Sequence, residues 1–152
     1  MLPRGQDLVD SLQPIRECRK KLHDAEQRLC DAKLMFDAVS EPLLKDYSLI
    51  PYLYRLFCDI VGVSMVKGEE REMFVFIVLY LYAPGKMDET RLPDGLRLSL
   101  ANVLHLNARS VISRIKGSSV LHYEIYFHDE VDDIFSVMVN RLLDDGYLQK
   151  ND

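Results

Sequence analysis

Apolar residues recur every seven positions near the start of this chain, at Leu8, Ile15, Leu22, Leu29 and Phe36. Three places after each stands a small or branched residue: Ser11, Cys18, Ala25, Ala32 and Val39. A strand repeats every two residues and a helix every 3.6, so a strict seven-residue repeat forces a helix with one narrow apolar seam. The spacing predicts a helix from about Leu12 to Val39. It should begin near Ser11, because Pro14 is tolerated only in a first turn. Ile15, Cys18, Leu22, Ala25, Leu29, Ala32 and Phe36 form the seam. The remaining faces are wet, with Arg16, Glu17, Arg19, Lys20, Lys21, Asp24, Glu26, Arg28, Asp31 and Lys33. Such a helix packs on one partner, either a second copy or the body of its own chain.

The rest of the chain reads as helices too. Ser40-Glu41-Pro42 and the stretch from Ser48 to Pro51 resemble helix starts, with a capping residue before a proline. A helix from about Pro51 to Val61 follows and stops at Gly62. Gly68-Glu69-Glu70-Arg71 opens another, with acids where the helix dipole favours them. From Met73 to Leu81 the chain is apolar on every side, which fits a central buried helix or a buried strand. The acidic entry favours helix, while the β-branched and aromatic content keeps strand as the alternative. A last helix runs from about Asp129 to Leu143 and ends at Gly146. The expected fold is all-α, with an N-terminal heptad arm over 1–40 and a helical domain over 41–152.

Composition sets limits on function. Of 152 residues, 48% are hydrophobic and 28% charged, enough to pack a core and too apolar for a disordered chain. The segment Leu2 to Asp10 lacks the apolar core of a signal peptide. The longest apolar run, Met73 to Ala83, is about half the roughly 20 residues of a membrane span. Cys18, Cys30 and Cys58 are odd in number and widely spaced, which fits a reducing compartment. A cytoplasmic protein is expected.

The formal charge is −5, but it is unevenly spread. Gly95 to Tyr123 holds Arg97, Arg109, Arg114 and Lys116 and no acid, so this window is +4 and the remainder −9. A basic island in an acidic chain is the signature of a local anion site. The same window, about 96–123, reads as a helix-turn-helix. A first helix spans about Leu96 to Leu104, the turn passes through His105-Leu106-Asn107, and a second helix starts at Ala108 with Asn107 as its cap. Ala101 supplies the small residue at the crossing. Leu100, Leu104, Leu106 and Val111 supply apolar positions. Arg114 stands where another is expected, with Ile115 one residue late, and His105 stands where glycine is frequent. Asn107, Arg109, Ser110, Ser113, Arg114 and Lys116 would then face outward, with Arg97 nearby. These side chains can bond phosphates and base edges, and arginine can grip guanine with two bonds.

Arg71, the run Phe74-Val75-Phe76-Ile77-Val78-Leu79-Tyr80-Leu81, Leu100-Ala101-Asn102-Val103-Leu104 and Asn107-Ala108-Arg109-Ser110-Val111 together resemble a known DNA-binding module. It is the helix-turn-helix domain of the bacterial replication initiator DnaA and its Trp-repressor-like relatives. The likeness covers roughly residues 70–143. The Gly-Gly-Arg-Asp-His turn of that family is replaced here by His105-Leu106-Asn107-Ala108-Arg109, and no ATPase module precedes the domain. The resemblance implies duplex DNA as ligand, with Arg109, Ser110 and Ser113 on the reading helix. Regulators of phages and mobile elements share the pattern.

The expected function is therefore sequence-specific DNA binding, regulatory or replicative and without catalysis. The alternative is a protein-interaction module that works through the seam helix. No cofactor is expected. His122, Glu124, His128 and Glu130 match no familiar metal-ligand spacing. No phosphate loop, nucleophile elbow or Cys-His pair appears, which leaves a small enzyme as a third reading.

Overall fold

The computed structural model describes residues 5–39, 41–87 and 91–149. Every regular element among them is helical. The chain divides into two units, an arm of residues 1–38 and a body of residues 39–152.

The arm is helix α1, Gly5–Val39, 35 residues long. It starts about six residues earlier than the Pro14 rule predicts, and Pro14 lies inside it. Proline there removes one i→i−4 hydrogen bond, a loss the long uninterrupted run on either side absorbs. Every side chain described between residues 9 and 35 is exposed. Seam residues Leu8, Phe36 and Val39 have side chains outside the described set.

The body is built around one helix. Helix α2 spans Ile50–Val61, α3 Glu69–Tyr82, α4 Asp94–Val103, α5 Ser110–His122 and α6 His128–Asp144. From Met73 to Leu79 every side chain of α3 is buried, and Leu81 and Tyr82 follow. The apolar run is thus a central helix, not a strand. It packs against α2, α5 and α6. Phe74 is fully buried, meeting Tyr54 and Phe57 edge-on at 5.4 and 5.5 Å.

The ends of these helices are fixed by recognisable devices. Asp46 accepts bonds from the backbone N–H and hydroxyl of Ser48 at 2.9 and 2.6 Å, launching a 3-10 turn, Tyr47–Leu49, that leads into α2. Gly62, at φ +84°, ends α2 by donating to the Cys58 carbonyl at 2.8 Å. Gly146, at φ +81°, ends α6. Residues 41–46 form no helix, contrary to the Glu41-Pro42 start signal; Ser40 lies outside the described residues. The backbone N–H groups of Leu43 and Leu44 both reach the Leu81 carbonyl, at 2.9 and 3.0 Å. That contact satisfies the last turn of α3 and holds the segment out of a helix.

No loop separates α5 from α6. A five-residue π-helical stretch, Tyr123–Phe127, joins them. Within it Tyr123 stacks on Phe76 at 3.9 Å and donates to Asp132 at 2.7 Å. Among the described residues no helix is long and apolar enough to cross a membrane.

Candidate nucleic-acid interface

Helix α4 buries Leu96, Leu100 and Ala101. Ala101, the small residue of this stripe, is 3% exposed. The chain then turns back in a C-terminal capping motif. The Leu106 N–H donates to the Ala101 carbonyl at 2.8 Å and the His105 N–H to that of Asn102 at 3.3 Å. His105 itself is left-handed at φ +56°. Among the described residues it is the one non-glycine with positive φ, and it occupies the turn position where glycine is frequent.

The connection occupies residues 104–109, longer than expected, because α5 starts at Ser110 rather than Ala108. Arg109, not Asn107, is the residue at its N-cap, and it makes no side-chain capping bond. A tight turn precedes the helix. The Val111 N–H donates to the Ala108 carbonyl and the Ile112 N–H to the Arg109 carbonyl, at 3.3 and 3.1 Å. Leu104, Leu106 and Val111 rest on the core, as the spacing implies.

The inward stripe of α5 is Ile112, Ile115, Lys116 and Ser119, at i, i+3, i+4 and i+7. Lys116 therefore does not project outward as expected. Only 5% of it is exposed, and its Nζ lies 3.4 Å from the Lys86 carbonyl. Its position one turn after Ile112 puts it on the core side whatever its charge, with the alkyl stem in apolar surroundings. Arg97 is also withdrawn. Its side chain is 17% exposed and bonded to Asp94, which Arg91 approaches at 3.8 Å. Asn107, Arg109, Ser110 and Arg114 are exposed, and Ser113 is half-buried. The exposed cationic surface of the island thus narrows to Arg109 and Arg114.

Sequence spacing gave no hint of Arg55. The fold brings this exposed α2 residue to an open cleft of about 620 Å³ that also holds Tyr47, Tyr54, Asn102 and His105. The cleft borders the turn between α4 and α5. Fifty positions separate Arg55 from His105, so no local pattern could connect them.

A second polar cluster lies further along α5. Glu72 of α3 accepts from Ser118 at 2.6 Å and lies 2.5 Å from the Nδ1 of His122. Ser118 also lies 3.4 Å from that same Nδ1. A hydrolytic triad places its acid and its nucleophile on opposite ring nitrogens. Here both crowd one nitrogen, which makes the group a clamp between α3 and α5. Burial raises the Glu72 carboxyl, but the bonds from Ser118 and His122, with the charges of His122 and Arg71, outweigh burial and leave it below its usual value. His122, Glu124, His128 and Glu130 are not gathered. His122 is engaged with Glu72, and His128 lies 3.3 Å from Asp129. No group of three or more metal-ligating side chains occurs among the described residues.

No family model, curated protein or solved structure matches this chain.

Proposed function

We propose that the body binds duplex DNA through α4 and α5, with the first turn of α5 and the residues just before it meeting the major groove. One observation carries the reading. Asn107, Arg109, Ser110 and Arg114 are exposed together beyond a helix-turn-helix bend, and no acidic residue lies between Gly95 and Tyr123. Duplex DNA carries one negative charge per roughly 1.7 Å of axis, so a helix entry with two exposed arginines suits it, even with Asp94 near enough to interact with Arg109. In this reading Arg109 and Ser110 reach base edges and Arg114 the phosphate backbone. Arg55, beside the turn, offers a further phosphate contact from α2.

The test compares two variants on a selected site and on random duplex. Arg109→Ala should lose about 1–3 kcal/mol on the selected site and less on random DNA, relaxing one base position. Arg114→Ala should weaken all sequences alike and lower the salt slope by about one. If both fold and neither changes affinity, specificity or salt dependence, α5 does not touch DNA.

A second reading, a protein-interaction module, has its own observation. Ile15, Leu22 and Leu29 of α1 are 56, 61 and 57% exposed. Binding to heparin no stronger than the sequence pI of 5.4 allows would favour it over DNA.

A further inference from the structure

In heptad terms Ile15, Leu22 and Leu29 hold the first core position of α1, and Cys18, Ala25 and Ala32 the second. All six are exposed. Large side chains occupy one position and small ones the other without exception. Side by side in parallel, two such helices would stack leucine on leucine and alanine on alanine, in layers alternately overfilled and empty. Run antiparallel, first positions meet second positions, and every layer receives one large and one small side chain.

We infer that α1 pairs antiparallel with α1 of a second copy, with Leu22 facing Ala25, Ile15 facing Ala32 and Leu29 facing Cys18 of the other chain. This deepens the protein-interaction reading and is independent of DNA binding. The flanking charges select that register. It brings Arg19 beside Glu26 of the second copy, twice by symmetry. Sliding one heptad either way sets Arg19 against Arg19 or against Lys33, and one of the two slides also sets Glu26 against Glu26. On the other flank Lys21 meets Arg28. Each has acids one turn away on its own helix: Glu17 and Asp24 for Lys21, Asp24 and Asp31 for Arg28. Arg28 already folds back onto the Asp24 carbonyl at 3.4 Å. A parallel pair would gain Lys21 with Glu26 but set Arg28 against Lys33.

The register overlaps residues 8–39 of the two copies, about 48 Å of helix, and a strip about 11 Å wide on each copy buries about 1,050 Å², just above the roughly 1,000 Å² a biological interface should clear.

Native Cys18 provides the test, in the full chain carrying Cys30→Ser, with buried Cys58 left in place. Light scattering should give the mass of two chains. Under mild oxidation Cys18 alone should form no covalent dimer. Leu29→Cys combined with Cys18→Ser should form none either. Leu29→Cys with Cys18 retained should cross-link efficiently. A monomer mass, cross-linking by either single cysteine, or no cross-linking by the pair would each overturn the proposal. Charge reversal gives a second route that leaves the seam intact. Arg19→Glu should weaken the dimer about tenfold, and adding Glu26→Arg should restore it. A double variant no tighter than the single one would sink the register.

Discussion

His122 and Glu72, fifty positions apart, face each other at 2.5 Å across the boundary between α5 and α3. Ser119 adds a bond to the Glu72 backbone carbonyl, also at 2.5 Å. The helix proposed to read DNA is thus fastened to the central helix by a carboxylate, an imidazole and two hydroxyls, at the end remote from its exposed first turn.

This clamp should show in the acid limb of stability. The Glu72 carboxyl is lowered from 4.5 in the folded chain. Its contribution is complete above that value and is lost as pH falls through the lower folded one. Glu72→Gln should cost about 1–3 kcal/mol near neutrality, and the gap to the parent should close as pH falls from 4.5 through the lower folded value. Thermal melts across pH check it; a gap that stays constant into acid would contradict the assignment.

Lys116 should behave as a core residue. Lys116→Met keeps the stem and should leave duplex affinity and salt slope unchanged. Lys116→Ala should lower stability by about 1–3 kcal/mol through lost packing. A fall in salt slope for Lys116→Met would show that its ammonium reaches DNA.

His105 is left-handed where a side chain is strained. His105→Gly should raise stability by about 0.5–1 kcal/mol, and His105→Val should lower it by roughly 1–2 kcal/mol. Urea midpoints measure both.

Phe74 is fully buried between two other rings, so Phe74→Ala should cost about 3–5 kcal/mol. Calorimetry would register a loss of that size.

Period was legible in this sequence and partnership was not. Heptad spacing marked α1, and the run from Met73 with its acidic entry favoured a buried helix over a strand for α3. Both signals are local, because side-chain period follows from helix geometry alone. The error at Lys116 came from weighing charge above phase: Ile112, Ile115 and Ser119 already defined the inward stripe that contains it. Glu41-Pro42 looked like a helix start because its signals are short-range. The competing bonds come from Leu81, some forty residues away. Arg55, joining the turn region from α2, and the Glu72–His122 clamp are likewise products of tertiary packing, with no spacing rule to disclose them.

The π-helical stretch between α5 and α6 has a consequence for chain length. The buried stripe of α5, extended past Ser119 at 3.6 residues per turn, would point Tyr126, Glu130, Asp133 and Val137 inward. All four are exposed, while Phe127, Val131, Met138 and Leu142, nearly all one position later, are buried. The wide turn is the width of one surplus residue, taken up so that both helices keep their faces on α3. Deleting Glu124 or Ile125 should therefore leave a plain α-helix with both stripes in phase. Adding a residue there would rotate everything beyond it by about 100°. This junction can lose a residue where the interiors of α5 and α6 cannot.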